Sequence, residues 1–194
     1  MSKSREQLNK MLSTIDIEGK TVLDVGVQDK PSSRLTYGTP KKYLTLDIDP
    51  QWKPDLVADL NEIGGNAYTF EKLKELDIDI IFCIEVLEHC WNPIVALGNL
   101  HEFLKKGGDL YISTPFINPH HDVVDYLRYT DEWYREVLPR VGFEVKIIKE
   151  RRASAGLGLL KQFYEVEYMK YSKIRQKNGP YTYPVGYFVH AKKI

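Results

Sequence analysis

Acidic residues recur at one kind of place in this chain, the far end of a short apolar run. Asp24 and Gly26 close the run that starts at Lys20, Asp47 and Asp49 the run from Tyr43, Asp59 the run from Asp55, and Glu85 the run from Asp77. Ser113-Thr114-Pro115 ends a further run that starts at Asp109. If each run is a strand of a parallel sheet, these ends share one edge, and open α/β sheets bind ligands in the crevice outside that edge. A carboxylate after the second strand can accept both hydroxyls of a ribose, and a glycine turn after the first lets backbone approach a ligand closely. Nucleosides suit such a site. A triphosphate does not, because the chain has no GxxxxGK(S/T) cradle. A pyrophosphate dinucleotide is disfavoured as well. Of its G-x-G-x-x-G fingerprint, Gly26-Val27-Gln28-Asp29-Lys30-Pro31 keeps one glycine and adds an acid that repels phosphate. The same carboxylates favour a nucleoside that carries a sulfonium cation.

The elements that must position these residues are legible from periodicity. Residues 4–14 place Leu8, Met11 and Leu12 at helical spacing and predict a short amphipathic helix lying as a lid on the sheet. Strands are predicted at 20–26, 43–49, 55–60, 77–85, 109–115, 143–149 and 185–191, the buried ones reading as near-continuous apolar runs. Helices are predicted at 69–76, at 93–105 with Pro93 in its first turn and Gly107-Gly108 as its stop, and from Thr130 or Asp131 toward Gly142. Strands alternating with helices point to a largely parallel sheet covered on both faces. Residues 151–184 read as an insertion between the last two strands, with an amphipathic helix near 159–173.

The chain has 194 residues, 43% hydrophobic and 28% charged, which suits one ordinary domain over residues 1–194. Twenty-seven basic residues balance twenty-seven acidic ones, so the footprint expected of a nucleic-acid binder is missing. No apolar run is long enough to span a membrane, and MSKSREQLNKML lacks the apolar core of a secretory signal. With two unpatterned cysteines, Cys83 and Cys90, a reducing cytoplasm is the expected compartment. The thirteen tyrosines cluster after residue 110 and would serve a lid, a sugar platform or a homo-oligomer interface equally well.

In order, TVLDVGVQDKP, YLTLDIDP, DLVADL, DIDIIFCIEVLEHCWNP, LKKGGDLYISTPF and DYLRYT…GFEV make the chain resemble a class I S-adenosylmethionine-dependent methyltransferase over roughly residues 20–149 plus the last strand. It is similar more narrowly to small methyltransferases grouped with polysaccharide biosynthesis. The resemblance implies a Rossmann-like α/β three-layer sandwich whose seven-stranded, mostly parallel sheet has an antiparallel last strand. It implies S-adenosyl-L-methionine as cofactor, with Asp24 and Gly26 at its methionine end and Asp47 on the ribose hydroxyls with Ile48 beside it. Asp59 and Leu60 fall to the adenine and Glu85 to the wall near the amino-acid moiety. Departures from the family pattern are the missing second and third glycines after Gly26 and a very short first crossover helix interrupted by Pro31 and Ser32-Ser33. Gln28 would donate to the methionine carboxylate or merely occupy a turn.

On the acceptor side, His89 follows the fourth strand and could take a proton from a hydroxyl nucleophile, or cap a turn. His120 and His121 lie on the loop after the fifth strand as further candidate bases or as solvated loop residues. Asp125, Tyr126 and Arg128 offer an aromatic face and a charge pair to an acceptor, with Asp125 as a fourth candidate base, or form a local ion pair before a helix cap at Thr130. No metal site is expected, since the histidines and cysteines match neither C-x-x-C nor H-E-x-x-H. Arg151-Arg152 and YMKYSKIRQK could contact nucleic acid through charge and stacking, but with a neutral whole chain they read as a solvated basic face of the inserted helix. The expected function is transfer of a methyl group to a small-molecule acceptor such as a sugar hydroxyl. The alternatives are a non-catalytic accessory or oligomerisation module of the same fold, and a methyltransferase acting on nucleic acid or protein.

Overall fold

The computed structural model describes residues 2–28, 31–32, 35–62, 67–120, 122–153 and 183–194. Its strands are β1 (Thr21–Val25), β2 (Lys42–Asp47), β3 (Leu56–Val57), β4 (Ile78–Ile84), β5 (Leu104–Pro115), β6 (Phe143–Ala153) and β7 (Tyr183–Lys193). They form one sheet in the order β3-β2-β1-β4-β5-β7-β6. β1 pairs parallel with β2 and β4, β2 with β3, and β4 with β5. β7 runs antiparallel to both β5 and β6. This is the α/β three-layer arrangement with a reversed last strand that the resemblance implies.

Alternation along the central strands divides the core in two. Val22, Ile80 and Phe82 point to one face, where α1 (Lys3–Leu12) lays Leu8 and Leu12 against them. Leu23, Ile81 and Cys83 point to the other face. There α2 (Ala67–Lys74), α3 (Pro93–Phe103) and α4 (Asp131–Arg140) supply Leu73, Leu100 and Tyr134. Burying Leu8 and Leu12 fully is worth about 1.5–3 kcal/mol each, enough to hold a ten-residue helix that would not persist alone.

Several boundaries differ from the sequence expectation, β3 among them, which shrinks to Leu56–Val57. The helix expected to reach residue 105 stops at Phe103, and β5 begins at Leu104, so Gly107 lies within an irregular strand start rather than at a helix stop. Pairing there jumps from Ile78–Leu104 to Ile80–Asp109, and Gly107 with φ +74° takes up the mismatch. β6 and β7 are longer than expected, so Arg151 and Arg152 belong to a strand rather than to an insertion. The outer edge of β6 is occupied there. Gln7 Nε2 donates to the Arg152 carbonyl at 2.7 Å, and the Arg152 amide donates to Gln7 Oε1 at 2.8 Å. The helix expected near 159–173 lies outside the described residues. Between β1 and β2 the described residues contain no α-helix, matching the interrupted crossover. No helix among the described residues is long and apolar enough to cross a membrane.

Candidate active site

The strand order reverses between β1 and β4, so the crevice at their carboxyl ends is the topological switch point. A cleft of about 1100 Å³ opens there, lined by Gly26, Gln28, Ile84, Glu85 and His89, with Lys3 and Arg5 of α1 on its other side. The expected lid helix is therefore a cleft wall. Gly26 has φ +68°, and its amide donates to the Leu46 carbonyl at 2.8 Å. A Cβ at Gly26 would stand 2.4 Å from Val86 Cγ2, so the turn can only be made by glycine. Gln28 also takes a left-handed conformation, φ +47°.

Each strand-end carboxylate is already engaged by the protein. Asp24 lines the cleft but is only 1% exposed, and its oxygens accept from the Ser32 amide at 2.6 Å, the Ser32 hydroxyl at 3.1 Å and the Tyr43 hydroxyl. Burial pushes it up to about 6 against those bonds. Asp24 therefore props the turn after β1 rather than offering a free carboxylate. Asp47 accepts from the Asp49 amide at 3.0 Å and from the Gln28 amide at 3.4 Å, tying the turns after β1 and β2 together. Ile48 beside it is 61% exposed and open to cover a ligand. Asp59 accepts from the Asn61 amide and side chain at 2.8 and 2.7 Å. Leu60 is buried in the core, so its side chain is not available to a ligand. Asp47, Ile48, Asp59 and Leu60 follow the strand ends beyond the cleft lining itself.

Glu85 is held from two strands. It has φ +57°, its amide donates to the Ser113 carbonyl at 2.7 Å, and its Oε1 accepts from the Ser113 hydroxyl and from Arg151 Nη2, the latter at 2.7 Å. The same Nη2 donates to the Thr114 carbonyl at 2.8 Å. Arg151 is 3% exposed and lines the cleft, so it does not belong to a solvated basic face as the sequence suggests. Its route to Glu85 crosses β7 at Gly186, where a Cβ would lie 2.2 Å from Nη2.

The residues expected on the acceptor side lie in the turn at Leu87–His89 and the segment before α4. The Glu88 carbonyl accepts from the Tyr126 amide at 2.9 Å, and Tyr129 donates its hydroxyl to the Leu87 carbonyl at 2.7 Å. His89 lines the cleft, and its Nδ1 meets the Val124 carbonyl oxygen. A carbonyl only accepts, so in the neutral ring Nδ1 carries the proton and Nε2 the lone pair. Asp125 is not available as a base. Its side chain is fully buried and both oxygens are taken by Arg128, with Nη2 to Oδ2 at 2.6 Å. Arg128 is spent on that fork and on the Asn118 and Pro119 carbonyls, so it positions the loop after β5 rather than facing an acceptor. Tyr126 is half exposed at the rim. His120 is exposed but stands off the cleft lining, and His121 lies outside the described residues. Among the described residues no His, Cys, Asp and Glu side chains gather as a metal site.

Residues 3–145 match the family model described as a methyltransferase domain. The chain belongs to the class I S-adenosylmethionine-dependent methyltransferases. It is 30% identical over 112 residues to the ubiquinone biosynthesis O-methyltransferase of Pseudomonas paraeruginosa, which spans 53% of this chain and 47% of that protein. It is 25% identical over 116 residues to the tRNA U34 carboxymethyltransferase of Campylobacter lari, across 56% of this chain and 40% of that one. The chain thus aligns with less than half the length of these curated relatives. In fold it is similar to a SAM-dependent methyltransferase of Archaeoglobus fulgidus, with TM-score 0.62 and 18% identity over 98% of this chain and 92% of the other.

The methyltransferase family's cofactor is S-adenosylmethionine, and the residues present fit it. The cleft is roomy, the turn at Gly26 leaves no side chain in the way, and carboxylates rather than phosphate-binding amides stand at the switch point.

One buried acid beneath this methyltransferase cleft sets a pH dependence. Glu88 is fully buried, and burial, then the nearby Glu85 and Asp125 charges, push it up to about 8 from 4.5. A raised acid binds its proton more tightly in the folded state, so its contribution is complete below pH 4.5 and is lost as pH rises toward 8. Asp24 acts in the same direction but finishes near pH 6. Stability should therefore still fall between pH 6.5 and 8, on the order of 1 kcal/mol per unit at most, and Glu88→Gln should flatten that slope in urea unfolding. Parallel slopes in the two proteins would show that Glu88 does not titrate there.

Proposed function

We propose that this chain transfers the methyl group of S-adenosylmethionine to a small-molecule acceptor, with a sugar hydroxyl as the first acceptor class to test. The observation that supports this best is the cleft at the β1–β4 switch point, where Gly26, Gln28 and Glu85 meet His89 on one surface. When bound, the cofactor supplies an electrophilic methyl group and the drive for its transfer. The protein's part is to bind and orient. Gly26 would admit the methionine end, Glu85 and Gln28 would flank it, Asp47 would accept from the ribose hydroxyls, and Ile48 with the Asp59 turn would bound the adenine. Holding acceptor and methyl group in line in a site screened from water is worth several kcal/mol of barrier. His89, with its lone pair on Nε2, takes the acceptor proton where the nucleophile needs a base. Asp24 and Asp125 act as props, as their buried hydrogen bonds require.

A second reading is favoured by the rim. Ile117, Val124 and Tyr126 are 42%, 44% and 52% exposed on the segment that overhangs the acceptor side. Such a rim suits an acceptor with an apolar or aromatic body bearing a hydroxyl, and one relative is named for ubiquinone biosynthesis. A nucleic-acid acceptor is less favoured by the balanced charge, although another relative is named for tRNA U34. The test is incubation with S-adenosylmethionine and two panels, nucleotide sugars and hydroxylated aromatics, read by formation of S-adenosylhomocysteine. Turnover with neither panel, in protein that binds the cofactor, would reject both small-molecule readings. For a hydroxyl acceptor, His89→Ala should lower kcat by about 100-fold or more while leaving S-adenosylhomocysteine affinity unchanged. An unchanged kcat would remove His89 from proton transfer.

A further inference from the structure

We propose that Arg151 is a positioning residue of the cofactor site, acting through Glu85 on the ligand's amino-acid end. The inference rests on the cofactor reading of the cleft given above. Arg151 stands on β6, which is not adjacent to β4 or β5 in the sheet, yet its guanidinium crosses β7 to reach both. Three features make that reach specific. The register sets Arg151 opposite Gly186, and Gly186 opposite Pro115, so the one residue between Arg151 and β5 has no side chain. A Cβ at Gly186 would stand 2.2 Å from Nη2, 2.7 Å from Cζ and 2.7 Å from the Thr114 carbonyl oxygen, inside the volume the guanidinium occupies. Finally, a single nitrogen, Nη2, bridges the Glu85 carboxylate and the Thr114 carbonyl.

The consequence falls on Glu85. Its backbone has the left-handed φ that is costly for a non-glycine residue, and such strain persists only where surrounding contacts impose it. Ser113 and Arg151 impose it by converging on Oε1, which fixes the carboxylate at the cleft wall. Glu85 and Arg151 both line the cleft, side by side. A fixed carboxylate beside a fixed guanidinium matches a zwitterionic amino-acid group, whose ammonium meets Glu85 while the pair adds no net charge to the cleft. A lone carboxylate in this place would swing and would have to be desolvated alone.

The test separates this role from simple support of the fold. Wild type, Arg151→Met and Arg151→Lys would be titrated calorimetrically with S-adenosylhomocysteine and with 5′-methylthioadenosine, which keeps the nucleoside and lacks the amino-acid end. Arg151→Met should weaken S-adenosylhomocysteine at least tenfold and leave 5′-methylthioadenosine within twofold of wild type. Arg151→Lys should recover part of the loss, and it carries the same comparison if the methionine variant does not fold. In an Glu85→Gln background the Arg151→Met change should have little further effect on either ligand. Equal weakening of both ligands would make Arg151 a scaffold residue only, and no weakening of either would remove it from the site; each result overturns the proposal. Failure of wild type to bind either ligand would instead overturn the cofactor reading on which it rests.

Discussion

Asp47→Ala is expected to abolish the thermal stabilisation that S-adenosylhomocysteine gives the wild-type protein. The carboxylate sits 6% exposed at the end of β2, where it already accepts two backbone amides and faces the ligand edge of the sheet. Hydrogen bonds to a charged acceptor are worth about 1.5–3 kcal/mol each, so losing those to two ribose hydroxyls weakens binding by about 100-fold or more. At a ligand concentration that stabilises wild type by about 2.7 kcal/mol, such a variant gains almost nothing. Asp47→Asn keeps the shape and one acceptor oxygen and should fall between the two. A folded Asp47→Ala protein with an undiminished thermal shift would move the ribose away from β2.

Gly26→Ala should cost both stability and binding, and a companion variant separates the two losses. Gly26 and Gly107 share a left-handed backbone, φ +68° and +74°, so alanine at either is strained by roughly 1–2 kcal/mol. Their surroundings differ. A Cβ at Gly107 meets nothing within 4 Å, whereas one at Gly26 overlaps Val86 and pushes on the turn beside Glu85. Gly107→Ala is therefore expected to lower the melting temperature and keep ligand affinity, and Gly26→Ala to lower the melting temperature further and lose S-adenosylhomocysteine binding. Intact binding in Gly26→Ala would mean that no ligand approaches the backbone there.

The placement of the strand-end residues is legible in the sequence because its logic is local. Strands buried on both faces appear as unbroken apolar runs, and once they are parallel their last residues must share an edge; Asp24, Gly26, Asp47 and Glu85 follow from that alone. The glycine pattern after β1 departs from the family, and Ser32 explains part of how the turn is held without the missing glycines, since its amide and hydroxyl engage Asp24. Arg151 was illegible for the opposite reason. Its neighbours in sequence are charged, which reads as solvated, and its burial depends on a register with Gly186 and a partner 66 residues away. The signal available was a glycine in the middle of the last strand, where close approach of another group is the usual cause. Asp125 and Arg128 sit three residues apart, a spacing that suggests an ion pair, but only the fold shows the Asp125 carboxylate buried and Arg128 spent on the loop after β5. The start of β5 is hidden in the sequence because Gly107-Gly108 looks like a helix stop, while the irregular pairing with β4 that needs Gly107 is non-local.

Calorimetric titration of the wild-type chain with S-adenosylhomocysteine tests the central claim most directly. Micromolar binding at a single site is expected, competed by S-adenosylmethionine. A well-folded protein that takes up neither ligand would contradict a catalytic methyltransferase and leave a fold kept for another use.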